Sequence, residues 1–149
     1  MRFLTEKIQH LKIGWNEREM TETDFYRLCR RFKIKVVEMP LRTGGFYYRV
    51  MGRDFIAVDS RLRREKKLLV LFHELGHFLF HTPESGATAN FHGVGRRTRV
   101  EREADVFALC ALIPKQFIES KPLQELVDEA GFTPETVAER LSVFEHYGI

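Results

Sequence analysis

Little in this chain could hold a fold together covalently. Its 149 residues include two cysteines, Cys29 and Cys110, widely spaced and each set in a helix-like pattern. That excludes a disulfide framework and reads as two reduced, packed thiols in a cytosolic protein. Long apolar runs are missing too. The longest covers residues 68–72, far short of the ~20 residues that span a bilayer. The opening residues Met1, Arg2, Phe3, Leu4, Thr5 and Glu6 offer no apolar signal core and no small-residue cleavage site, so a cytoplasmic location is expected. Neither charge sign dominates, with 24 Lys and Arg against 21 Asp and Glu and a formal net charge of +3. Internal repeats and low-complexity stretches are absent.

What remains is the composition of an ordinary folded protein, 44% hydrophobic and unusually supplied with 13 phenylalanines. The length suits one domain with a real core and no need of staples. We expect a single unit over 1–149, with an N-terminal helix and small sheet in 1–60, the central helices in 61–114 and C-terminal helices in 115–149. Basic residues gather at Arg61, Arg63, Arg64, Lys66 and Lys67, and again at Arg96, Arg97, Arg99 and Arg102. Two solvated segments flanking a buried helix account for them; a patch for an acidic partner or nucleic acid is the other reading.

Thr21 or Thr23 can cap a helix with Phe25, Leu28, Cys29 and Phe32 on one stripe. Residues 35–39 read as a strand stopped by Pro40. Gly44 and Gly45 lead into a second strand at 46–51, and a turn at 52–54 into a third at 55–58. Asp59 or Ser60 can cap a long helix over 61–81. Residues 82–97 have Gly, Pro and Ser with little periodicity and read as a mobile loop, a plausible lid. Helices follow at 98–113, 115–119, 122–130 and 134–146. The fold class is therefore α+β, a small three-stranded antiparallel sheet beside a helical core.

Within the long helix stands Phe72-His73-Glu74-Leu75-Gly76-His77. Residues four apart on a helix lie nearly above one another, so His73 and His77 can point two imidazoles at one ion. Glu74 sits beside them, placed to handle a water rather than the ion. That is the arrangement of metal-assisted hydrolysis, in which a carboxylate takes a proton from water made acidic by a metal. The helix is apolar nearly all round and should be buried, where two imidazoles and a carboxylate are costly unless coordinated or paired. Zinc is the metal expected of such donors. The bland alternative is a pair of core histidines bonded to backbone or carboxylate.

A third ligand is best sought on the helix at 98–113. Its packing face is Val100, Ala104, Phe107, Ala108, Ala111 and Leu112, and Glu101 projects about 55° from the centre of that face against about 100° for Glu103. Glu101 is thus the expected ligand, with Glu103 nearer the edge, and Asp105 is placed to hydrogen-bond a ligating histidine from behind. An exposed Glu101 paired with an arginine is the competing reading. His81 continues the His73, His77 stripe, but three ligands over two turns of one straight helix converge poorly, so it reads as structural or as support for a ligand.

These two blocks resemble the ImmA/IrrE family of bacterial metallopeptidases. The match runs from Phe55-Ile56-Ala57-Val58-Asp59 through Leu71 to His81, and resumes from Glu101-Arg102-Glu103-Ala104-Asp105 to Leu112-Ile113-Pro114. The resemblance implies a zinc endopeptidase with His73, His77 and Glu101 as ligands and Glu74 as general base. Asp105 stands where many members carry asparagine. It also implies a protein substrate, with helix-turn-helix repressors as the type the family acts on.

Two other functions compete. Residues 126–141 resemble a helix-turn-helix in their glycine turn and apolar spacing, but the second helix offers mostly Glu and Thr outward, which phosphates repel. A metal-binding regulator without proteolysis is the other, against which the retention of Glu74 argues. Tyr47, Tyr48 and His92 are candidates by type to stabilise an oxyanion. The sheet could present an edge strand to an extended substrate.

Overall fold

The computed structural model describes residues 1–81 and 98–149 in full, and the backbone of 88–91. The order of elements is α1 (Arg2–Leu11), α2 (Glu22–Phe32), β1 (Ile34–Met39), β2 (Gly45–Val50), β3 (Arg53–Asp59), α3 (Arg64–His81), β4 (Thr88–Phe91), α4 (Arg99–Leu112), α5 (Lys115–Ser120), α6 (Leu123–Asp128) and α7 (Pro134–Tyr147). The class is α+β, with α3 and α4 forming a central pair of which α3 packs on the sheet.

Local chemistry sets the boundaries. At the start of α2 the Thr21 hydroxyl accepts from the Asp24 amide while the Asp24 carboxylate accepts from the Thr21 amide, a reciprocal capping box. Thr98 caps α4 through the Glu101 amide and Thr133 caps α7 through the Thr136 amide. Helix α1 carries no such cap on its first turn; Leu4 and Ile8, one turn apart, bury it against the core. Leu4, Ile8 and Leu11 recur at helical spacing, a signal present in the sequence.

The sheet departs from an all-antiparallel, three-stranded arrangement. Its order is β1-β3-β2-β4, with β2 antiparallel to β3 but β1 parallel to β3. The hairpin between β2 and β3 turns through Met51 and Gly52, at φ 50° and 74°, the pair of positive angles a type I′ turn requires. β3 takes an inner place between β1 and β2, and its Ile56, Ala57 and Val58 are all buried, a continuous apolar run of a strand covered on both faces. The crossover from β1 is pinned by Asp59. Its carboxylate accepts from the amides of Leu41 and Arg61, and its own amide donates to Gly44 at 2.8 Å. Asp59 thus organises the turn before α3 rather than capping that helix.

β4 pairs antiparallel with β2, from Phe46 opposite Phe91 to Arg49 opposite Thr88. A strand therefore lies inside the stretch read as a mobile loop; four residues are too few for alternation to show. The remainder of that loop, with His92, Arg96 and Arg97, lies outside the described residues.

One apolar cluster extends from Leu4 to Val143. Phe25, Phe72 and Phe107 are fully buried within it, each contributing about 1.5–3 kcal/mol. Trp15 stacks on Phe107 and donates its indole N–H to the Phe107 carbonyl at 2.9 Å, tying the segment after α1 to α4. Helices α3 and α4 meet at Gly76, where a Cβ would come within 3.3 Å of the Ala104 Cα and 3.2 Å of the Phe107 ring. This close approach brings the carboxylates of α4 up to the histidines of α3.

Candidate metal centre

Residues Val70 to His77 of α3 are all buried, so the His-Glu-Leu-Gly-His string sits at the heart of the molecule. His73 and His77 present their Nε2 atoms to each other at 3.0 Å. Glu101, from the first turn of α4, closes the triangle: its Oε2 lies 3.3 Å from His73 Nε2 and its Oε1 3.2 Å from His77 Nε2. Three donors held about 2.05 Å from one tetrahedral ion would stand about 3.3 Å apart. The observed spacings of 3.0, 3.2 and 3.3 Å fit that figure.

Hydrogen bonds behind the histidines decide which ring nitrogens point inward as lone pairs. His73 Nδ1 lies 2.7 Å from Asp105 Oδ1, and a carboxylate can only accept. The proton therefore sits on Nδ1, leaving Nε2 as an acceptor. His77 Nδ1 lies 3.2 Å from His81 Nδ1, and His81 Nε2 lies 2.8 Å from Glu103. Acceptor nitrogens and a carboxylate crowded together repel unless a cation lies among them. The donor set of two imidazoles and one carboxylate suits zinc and related divalent metals.

Glu74 is completely buried in the next position along α3. Beside His73 opens a cleft of about 420 Å³, lined by His73, Asp105, Leu69 and Ala108 on one side and by Thr136 and Glu139 of α7 on the other. Of the candidate site residues, His73 and Asp105 line it. The α7 helix packs against α4, so this part of the 126–141 segment forms a wall of the cleft.

A model of a peptidase family, described as the IrrE N-terminal-like domain, matches residues 29–145. The chain belongs to this family. No curated protein and no solved structure matches it. The IrrE N-terminal-like family brings a metallopeptidase type of function and substrates that are proteins or peptides. The match covers β1 to α7, so it takes in all three residues of the metal-ready group.

The remaining sequence candidates of this IrrE N-terminal-like chain fall on both sides of expectation. Asp105 Oδ1 lies 2.7 Å from His73 Nδ1. His81 directs its two nitrogens at His77 and Glu103 instead of at the Glu101 side. Glu103 is the surprise: expected near the edge, its side chain is only 11% exposed, against 27% for Glu101. Burial works to raise its carboxyl pKa, but hydrogen bonds from His81 and Arg99 outweigh this and hold it below the usual carboxylate range. Its i, i+4 spacing from Arg99 was the available signal. Tyr47 is fully buried with its hydroxyl donated to Asp54, and Tyr48 stacks on Phe55. Among the described residues no helix is long and apolar enough to cross a membrane.

Proposed function

We propose that the chain is a zinc-dependent endopeptidase in which His73, His77 and Glu101 hold the ion and Glu74 is the general base. The observation that supports it most is the convergence of those three donors at 3.0–3.3 Å beside a buried glutamate and an open cleft. Zinc in that position supplies Lewis acidity, making a water able to lose its proton near neutral pH and polarising a carbonyl oxygen. Glu74 accepts the proton from water as oxygen bonds to the scissile carbon. It then hands that proton to the amine nitrogen as the C–N bond breaks. Asp105 keeps the His73 proton on Nδ1 and fixes its ring.

An extended peptide is the proposed form of substrate. β4 ends the sheet order, so its outer edge can pair with a further strand and lay a peptide along the site. Resemblance to the ImmA/IrrE family supports a regulatory protein, such as a helix-turn-helix repressor, as the physiological target. Both cysteines are free thiols, which supports a cytoplasmic setting. One catalytic domain over 1–149 is proposed on the continuity of the core from Leu4 to Val143.

Glu74→Gln tests the role of the base. The variant should bind zinc as the wild type does and lose at least a hundredfold in hydrolysis of a quenched-fluorescence peptide library. Equal cleavage by the variant would remove Glu74 from the chemistry, and no cleavage by zinc-loaded wild type on any sequence would leave a binding protein.

A further inference from the structure

The two histidines are supported in different ways. His73 Nδ1 meets the Asp105 carboxylate directly, whereas His77 Nδ1 faces the ring of His81 at 3.2 Å. His81 in turn places Nε2 2.8 Å from Glu103 Oε2, and Arg99 Nε lies 2.8 Å from Glu103 Oε1. Both middle side chains are enclosed, with His81 12% and Glu103 11% exposed. Along such a chain each proton has one consistent place. The Glu103 carboxylate accepts, so His81 carries its proton on Nε2 and keeps a lone pair on Nδ1. That lone pair accepts from His77 Nδ1–H, and the His77 Nε2 lone pair is left facing Glu101 and His73.

We infer that His81 and Glu103 are positioning residues that set the His77 tautomer for metal binding, with Arg99 anchoring the far end of the relay. The inference rests on His77 being a ligand, as proposed above. It assigns the third histidine of the stripe a task other than ligation, and gives buried Glu103 one as well. Arg99 holds Glu103 through one oxygen and leaves the other to His81, so the carboxylate cannot rotate away without losing both partners.

The test is zinc affinity, measured at about pH 8, where imidazole is neutral, by competition with a chromophoric chelator. Glu103→Met should weaken zinc binding about ten- to a hundredfold. Glu103→Gln, whose amide oxygen still accepts from His81, should stay within about threefold of wild type. His81→Phe should match Glu103→Met, and the double variant should lose no more than His81→Phe alone, because both cut one chain. In zinc-loaded wild type the His77 Nδ1 proton should appear in NMR spectra as a slowly exchanging imidazole resonance and vanish in His81→Phe. Wild-type affinity in Glu103→Met, or losses that add in the double variant, would overturn the relay. A lowered melting temperature of the metal-free protein with unchanged zinc affinity would also overturn it, in favour of a structural role. Wild type that takes up no zinc would overturn the metal reading itself, and the relay with it.

Discussion

Arg140 makes a stability prediction that can be worked from contacts. Its side chain is completely buried on α7, where its three nitrogens donate to the Ile113 carbonyl at 2.6 Å, the Ile149 carbonyl at 2.9 Å and Asn16 Oδ1 at 3.1 Å. These bonds tie the end of α4, the segment after α1 and the end of α7 to one point. Asn16 Oδ1 also accepts from the Lys115 amide at 2.8 Å, which would survive loss of the arginine. Charge-assisted bonds contribute about 1.5–3 kcal/mol each, so three give a gross figure of roughly 4.5–9 kcal/mol. Burying the guanidinium offsets several kcal/mol of that, and burial indeed pushes its pKa down. Replacement by methionine, similar in length and without donors, should therefore cost about 2–4 kcal/mol net. With an unfolding entropy of about 2.1 cal/mol/K per residue, the melting temperature should fall by roughly 10 °C. Urea and thermal unfolding of metal-free protein, followed by circular dichroism, measure both quantities. A loss below about 1 kcal/mol would refute the reasoning, because it would mean that the three bonds barely exceed the cost of burying the charge.

Three further outcomes follow from the same contacts. Asp105→Ala should weaken zinc binding about ten- to a hundredfold, while Asp105→Asn, which keeps an acceptor for His73 Nδ1–H, should cost far less; chelator competition distinguishes them. Asp24 is held well below the usual carboxylate range, first by Arg18 and then by the Thr21 bonds, against the effect of burial. Its folded pKa is depressed, so its stabilisation is present above about pH 4 and fades as pH falls further. Asp24→Asn should accordingly lose about 0.5–2 kcal/mol at neutral pH, a difference that narrows in acid denaturation series. Burial pushes both Cys29 and Cys110 up to about 12, so neither thiol should react with a disulfide reagent at pH 8 until the chain is unfolded.

The parts of this molecule that were legible in advance share one property: they depend on local spacing. His73 and His77 are four apart on a helix, and Glu101 follows from the angular position of one residue on the next. Thr21 announces α2 by the same short-range logic. Features set by distant partners were not legible. The parallel pairing of β1 with β3 depends on a crossover held by Asp59, and β4 exists because β2 offers it an edge. Glu103 was misplaced because a helical wheel ranks residues by the apolar face. Its burial comes instead from His81, 22 positions earlier, and from Arg99. Arg140 likewise looks like a surface residue until its carbonyl partners, up to 124 positions away, are known.

The central claim is that His73, His77 and Glu101 together bind a single metal ion, and metal content tests it most directly. Purified chain loaded with zinc, then desalted and assayed by atomic emission, should carry about one zinc per molecule. His77→Ala and Glu101→Ala, both still folded by circular dichroism, should carry almost none. Zinc at full occupancy in both variants, or none in the wild type, would contradict the account.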